Sequence, residues 1–460
     1  MHSHRLALLS SSLALALVTA VPAAHAQGAN KELLDVLLSN GAITQKQYNQ
    51  MIGKVEAEAK EKEKEPEVTL DQRGFRVKSA DDKYAIKIGG RLHAQAATHL
   101  NEGGLESIGV NPTDGTELRR ARMEMSGTIQ EDWRWAAEVD FADNGSRILD
   151  FWLSYTGIED TALTAGHQKQ PYSLSLEMSS NDIAYIERSI DNSLVVPFVD
   201  RAIGLRMDTN GENWFFAGGL FGESVGPNDN GQPDGNEGWG AAGRFIYAPV
   251  ITDNSIVHLG VRGAHRLPAD DRQSVRIRTE TTNFSNTFVI NANVNDLDSV
   301  TLLGPEIGLS YGPFTLLGEY NFAEFEREVG STLDFSSWHV GATWLFGAAP
   351  YAKAYRIDAG EFKRPVPLHD FSMHSGGGWG ALELGARYAS IDMNDGDFTG
   401  GSQDNVTVSA NWYINNNVRL MFDWTHILET DGLGLNQTQA NINREAEGLD
   451  ILQTRAQWTY

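Results

Sequence analysis

The sequence predicts an all-β fold, a transmembrane antiparallel β-barrel of about sixteen strands preceded by a short helical segment. Three observations predict it. Apolar and polar residues alternate with period two through many segments of membrane-crossing length. The apolar faces of those segments are rich in aromatics, of which the chain has 11 Trp, 13 Tyr and 19 Phe. An apolar leader stands at the start, and there is no cysteine, which suits export without disulfides.

The leader is read as residues 1–26. His4 and Arg5 precede the run LALLSSSLALALVTAV, and Ala24-His25-Ala26 is a small-x-small cleavage pattern, so the mature chain is expected to start near Gln27. Residues 27–66 form a helical segment. Leu33, Leu34, Leu37 and Leu38 make one apolar stripe that Gly41 stops. Thr44-x-x-Gln47 is a capping box for a second helix, with Tyr48, Met51, Ile52 and Val55 on its apolar face. Self-association and a loosely ordered periplasmic spacer are both open readings of this segment. Residues 67–83 link it to a barrel over 84–460.

From Tyr84 the period becomes two. YAIKIGGRLHAQAATHL sets Tyr84, Ile86, Ile88, Leu92 and Ala94 against Lys87, Arg91, His93, Gln95 and His99. WRWAAEVDF, ILDFWLSY, SSWHVGATWLF and VRLMFDW repeat the pattern. LQTRAQWTY sets Leu452, Thr454, Ala456, Trp458 and Tyr460 against Gln453, Arg455 and Gln457. Roughly sixteen to eighteen such segments are joined alternately by short turns and by longer Gly/Asn/Asp-rich loops. A polar average composition is no objection, because water-facing residues alternate with lipid-facing ones.

The polar faces then line a lumen. In RQSVRIRTE, Arg272, Arg276 and Arg278 share one face, although the net charge is −24. Neighbours two apart stand about 6.8 Å from one another, and two like charges there repel by about 0.6 kcal/mol in water. Such a row suits a solvated face or a place where anions sit. The preceding strand, IVHLGVRGAHR, adds Arg262 and Arg266 to the same hairpin. Arginine presents a fork of donors matched to phosphate oxygens, and rows of Arg and Lys select anions in pores. Pairing with lumen carboxylates such as Asp271 or Glu280 is the competing reading. In ELRRARMEM, Arg120 and Arg122 face inward, whereas Arg119 falls on the lipid parity and requires a rim, a bulge or snorkelling. Arg134 and Asp150 face inward from the next two strands.

The segment Pro171–Asp200 lacks alternation and is expected either to fold inward and narrow the lumen or to stay at the surface. Lys169 and Arg188 are its candidate cations. Other chemistry is poorly supported. His369 and His374 lack further spaced ligands. GPNDNGQPDGNEG reads as a solvated turn without EF-hand spacing. No metalloprotease, nucleophile-elbow or phosphate-loop motif appears. The acidic excess argues against nucleic acid.

KIGGRLHAQA, LRRARMEMSGTIQEDWRWAAEVDF, LDFWLSYTGI and GALELGARYASIDMNDG…NVTVSANWYINNNVRLMF together resemble the phosphate-selective porins O and P of Gram-negative outer membranes. The resemblance implies a sixteen-stranded homotrimer with an arginine-lined path to a constriction. It maps Arg119, Arg120 and Arg134 to constriction cations, the last where phosphate-specific members carry lysine. It maps Asp150 to the constriction aspartate, and Arg266, Arg276 and Arg278 to steps of an arginine ladder. Arg122 departs from the pattern by standing where members carry an aromatic. Glu280 departs where the ladder would continue, and no lysine stands near Asn181. A leading segment like 31–65 occurs in relatives, where trimer support is one suggestion.

The expectation is therefore an outer-membrane anion pore for phosphate, pyrophosphate or polyphosphate, neither an enzyme nor a cofactor or metal protein. Its expected pore residues are Arg119, Arg120, Arg122, Arg134, Asp150, Arg188, Arg262, Arg266, Arg272, Arg276 and Arg278. A general or weakly cation-selective pore, and an envelope protein anchored by its barrel, are the alternatives.

Overall fold

The computed structural model describes residues 33–62, 65–72, 74–142, 145–224, 236–270, 273–374, 376–431 and 442–460. The expected leader, Arg272 and most of the GPNDNGQPDGNEG turn lie outside the described residues.

The chain divides into two compact units, one reaching to Glu67 with Ser79–Asp81, the other Val68–Lys78 with Asp82–Tyr460. In the first, helix α1 (33–39) ends where Gly41 takes φ +69°, its N–H donating to the Leu38 carbonyl at 3.0 Å. That left-handed geometry is open to glycine at little cost. Helix α2 (Gln45–Lys62) opens with the predicted box. The Thr44 N–H donates to Gln47 Oε1 at 2.9 Å and the Gln47 N–H to Thr44 Oγ1 at 3.3 Å. The Tyr48 hydroxyl donates to Asp35 at 2.6 Å, tying the helices together. Among the described side chains of the predicted stripes Leu34 is buried, while Leu33 and Met51 remain exposed. Thr44→Ala should cost this helix pair about 1 kcal/mol, measurable as lost helicity of a 33–62 peptide by circular dichroism.

In the second unit β1 (Glu67–Asp71) pairs with β2 (Gly74–Lys78), and β2 with the start of β3 (Tyr84–Glu102). Barrel strands follow as β4 (Gly115–Ile129), β5 (Trp133–Asp140), β6 (Arg147–Ile158) and β7 (Thr161–Lys169). Next come β8 (Arg201–Asn210), β9 (Trp214–Phe221), β10 (Trp239–Ile251) and β11 (Ser255–Leu267). A separate hairpin, β12 (Val275–Glu280) with β13 (Phe288–Val294), precedes β14 (Leu297–Tyr311), β15 (Phe314–Arg327) and β16 (Leu333–Phe346). A short ribbon, β17 (Tyr355–Arg356) and β18 (Glu361–Phe362), leads to β19 (Ala381–Asp395), β20 (Phe398–Tyr413), β21 (Val418–Asp431) and β22 (Leu449–Thr459).

Each barrel strand pairs antiparallel with its neighbours, and β22 pairs with β3, so sixteen strands close. Tyr460 completes the seam by exchanging two 3.1 Å backbone hydrogen bonds with Gly90. A Cβ on Gly90 would lie 2.4 Å from the Arg122 carbonyl oxygen, so only glycine admits this approach.

The predicted alternation holds. On β22, Gln453, Arg455 and Gln457 are buried, whereas Trp458 and Tyr460 are exposed. On β16, His339 and Thr343 oppose exposed Val340, Trp344 and Phe346. In a barrel, exposed apolar residues on the outer wall meet lipid. One expectation fails. RQSVRIRTE is no barrel stave: β12 belongs to a two-stranded sheet within the β11–β14 connection. Its Ile277 and the partner strand's Ile290, Ala292 and Val294 are buried against Leu194, Val195 and Phe325 inside the barrel.

Two further segments enter the barrel. Residues 170–200 carry α3 (Leu174–Glu177) and α4 (Asn192–Val199). The 347–380 connection enters from the opposite mouth, the one with the tighter turns, which faces the periplasm in such barrels. Leu174, Met178 and Ile183 of the first segment share an apolar cluster with Tyr351, Ala352 and Phe362 of the second.

Candidate functional site

An inward loop exposes backbone groups that need partners, and the wall supplies them. The Leu174 N–H donates to Glu306 at 3.1 Å and the Ser175 N–H to Glu319 at 3.0 Å. The Ile186 N–H donates to Asp423 at 2.7 Å. Carbonyls of Ile183, Ala184 and Glu187 accept from Arg419, Asn411 and Arg387 at 2.9, 2.6 and 3.1 Å. His339 Nδ1 lies 2.9 Å from Asp191. The loop is thus bolted to strands on both sides of the lumen, in agreement with the inward alternative.

On one side of the barrel the lumen is filled. Glu306 meets Arg244 at 2.6 Å, His258 at 3.0 Å and Arg262 at 3.1 Å, and all four side chains are fully buried. Arg244 also donates to the Gly360 carbonyl at 2.8 Å, and His258 Nδ1 lies 2.8 Å from the Tyr355 hydroxyl. Both intruding segments are therefore anchored on one carboxylate.

On the other side a cavity of about 720 Å³ remains. Nine arginines, Lys169 and His167 line it, against the carboxylates of Glu187, Asp200, Glu280 and Asp423. A surplus of fixed positive charge in a low-dielectric cleft concentrates anions.

Local structure explains how the arginines arrive. The β3–β4 register slips between His93↔Arg120 and Ala94↔Leu118, leaving Arg119 as the extra residue of a β-bulge. The bulge re-aims a lipid-parity side chain, and Arg119 Nε donates to Glu187 at 3.1 Å. Arg120 is buried, with a guanidinium nitrogen 3.8 Å from Glu187 and its Nε without a hydrogen-bond partner. Arg122 is held at 2.7 Å by both Glu138 and Asp140. Asp150 accepts from Arg201 at 2.9 and 3.1 Å. Arg188 and Lys169 donate to carbonyls at the end of α3, Arg188 to Ser175 and Met178, Lys169 to Leu176 and Glu177.

Arg276 and Arg278 project from the exposed face of β12 into the cavity. Arg278 lies over the Phe288 ring at 4.7 Å, and among the described residues neither arginine forms a salt bridge. Their alternate spacing follows from a hairpin with one apolar face on the core and one charged face toward water.

Four expected pore residues stand elsewhere: Asp150, which holds Arg201 from outside the cavity lining, and three arginines. Arg262 keeps the predicted inward parity but lies fully enclosed between Glu306 and Asn321, 5.1 Å from the Tyr172 ring. Arg266 donates to the Gly222 carbonyl at 2.7 Å and to Glu223 at 2.8 Å, securing the loop after β9. Neither lines the cavity, because on their side the loops occupy the lumen. Arg134 is exposed at the tight-turn end, where it donates to the Glu131 carbonyl at 2.6 Å, away from Arg119 and Arg120.

Sequence reasoning passed over Arg147, Arg201, Arg387 and Glu187 as site residues. Arg387 was legible, since GALELGARYAS alternates Leu382 and Leu384 with Glu383 and Arg387. Arg201 was not, because it shares parity with outward Ile203, Leu205 and Met207.

A closed antiparallel barrel with an apolar outer wall and a loop-narrowed charged lumen defines a class, the outer-membrane porins. The sequence profile of the phosphate-selective porin O and P family matches residues 86–460, and the chain belongs to that family. It is similar to Porin O of Pseudomonas aeruginosa, 22% identical over 378 residues, covering 75% of this chain and 84% of the relative. An uncharacterized protein of Caulobacter vibrioides is 25% identical over 356 residues, covering 75% and 67%. OmpT, an outer membrane protein of Vibrio cholerae, superposes with a TM-score of 0.50 at 12% identity, covering 82% and 98%, a likeness of fold alone.

Proposed function

We propose that this porin passes small oxyanions, phosphate and its condensed forms first among them, by passive diffusion through the arginine-lined cavity. The supporting observation is the composition of that cavity, nine arginines and Lys169 against four carboxylates. Each phosphate oxygen would exchange water for guanidinium donors. Several moderate sites in sequence allow exit as well as entry. A dianion 4 Å from one arginine gains about 2 kcal/mol in water and more beside protein, before dehydration is subtracted. Membership of the phosphate-selective porin O and P family supports the same reading. The working unit is a homotrimer, and export proceeds through the leader over residues 1–26.

The test is single-channel recording in planar bilayers across a salt gradient, with phosphate added as a blocker of chloride current. Wild type should show an anion-selective reversal potential and phosphate block. Arg276→Ala with Arg278→Ala should weaken that block about tenfold or more, since two charges near the permeating ion are lost. A cation-selective potential indifferent to phosphate would instead establish a general pore. Absence of conductance would leave an anchoring role.

A further inference from the structure

The guanidinium cluster of this cavity already holds an anion, supplied by the chain itself. The Glu187 carboxylate accepts from Arg119 Nε at 3.1 Å and from Asn283 Nδ2 at 2.9 Å. It also pairs with Arg455 and lies 3.8 Å from Arg120. One carboxylate thus serves three guanidinium groups, drawn from β4 and β22, and the Arg120 Nε still finds no acceptor. Arg455 also donates to Gln95 Oε1 and to the Ile186 carbonyl, yet three guanidinium charges still face one carboxylate, so the cluster carries surplus positive charge. A simple packing role would need one cation for one anion.

The loop presents this carboxylate deliberately. Ile186, just before it, is fixed by its N–H to Asp423 and by its carbonyl to Arg455. The Glu187 carbonyl accepts from Arg387 and Arg188 reaches back to two carbonyls. The backbone is therefore held on both sides while the side chain points into the cage. Enclosure pushes the Glu187 carboxyl up, but Arg119, Arg455 and Arg120 outweigh it and hold the group well below the usual carboxylate range.

We propose that Glu187 is a tethered competitor for the permeating oxyanion, a specificity-determining residue that occupies the cage between passages and shortens each stay. This rests on the anion-pore reading above. An arriving oxyanion must share or displace a carboxylate whose local concentration is fixed by covalent connection rather than by solution. Without the tether the same arginines would bind an oxyanion more tightly and release it more slowly. Glu187 thereby trades affinity for throughput.

The experiment measures phosphate block of chloride current through the full-length protein, as wild type, Glu187→Gln and Glu187→Ala. Tethered ligands act at millimolar local concentrations or above, so removing this one should lower the half-blocking phosphate concentration about tenfold and lengthen individual blocking events. Bore size, read by exclusion of neutral polymers, should stay at the wild-type value. Unchanged or weaker block in both variants overturns the proposal, as does a changed bore that accounts for the block. Failure of both variants to assemble would make Glu187 a folding residue and overturn it equally. If wild type itself shows no anion preference, the parent reading falls. If wild type is blocked and the variants behave like it, the tether alone falls.

Discussion

Arg119→Ala combined with Arg120→Ala is expected to weaken anion preference about tenfold or more and shift the reversal potential toward the cation side. A unit charge 4 Å from a passing ion is worth about 1 kcal/mol in bulk water and about 4 kcal/mol at the effective dielectric of a protein surface. Two such charges, even at the lower figure, exceed a tenfold change in relative permeability. The loss is compounded because Glu187 would keep its own charge while losing two of its three guanidinium partners. It would then repel the anions it formerly competed with. Arg134→Ala is the matched control, since that guanidinium stands at the tight-turn end, and its reversal potential should equal wild type. The measurement is zero-current potential under a salt gradient, with heat-modified electrophoretic mobility confirming that both barrels fold.

Glu306→Gln should produce the largest loss of stability. The carboxylate sits among Arg244, His258 and Arg262, and none of these side chains reaches water. Removing one partner of a buried ion pair costs about 3–5 kcal/mol, because the remaining charges are left uncompensated. Here Arg244 would face a neutral amide that brings donors of its own, while Arg262 would keep Glu319 at 3.5 Å. Arg266→Ala, by contrast, removes a partly exposed pair with Glu223 and should cost about 1 kcal/mol or less. Thermal unfolding followed by circular dichroism distinguishes the two. Since Glu306 also accepts from the Leu174 N–H, single-channel records of Glu306→Gln should become noisier as the inward loop loosens.

The barrel was legible because lipid and water impose opposite demands on successive residues. LQTRAQWTY and SSWHVGATWLF state those demands without ambiguity, and their faces fall where the alternation placed them. Arg119 was legible for a related reason: a charge on the lipid parity needs a device, and the device is a bulge. RQSVRIRTE misled because period two describes any strand with one buried face, and a hairpin inside the barrel meets that condition as well as a stave does. Arg262 and Arg266 show a different limit. Their inward direction was correct, but direction does not reveal what occupies the space ahead, and long-range contacts with Glu306, Asn321 and Glu223 decided it. Glu187 was hidden in a segment without periodicity, and its partners on β4 and β22 are brought near only by the folded loop.

The greasy joint where Leu174, Met178 and Ile183 meet Tyr351 and Phe362 has a mechanical implication. It presses two tongues, one rooted at each rim, against each other beside Ile256 and Leu345, toward the tight-turn end of the barrel. A push on the periplasmic tongue, by a neighbouring molecule or a change of sequence, is therefore felt by the tongue that carries Glu187. The two tongues, one from each aqueous side, meet through these apolar side chains and through Lys363 and Asp182 at 3.4 Å.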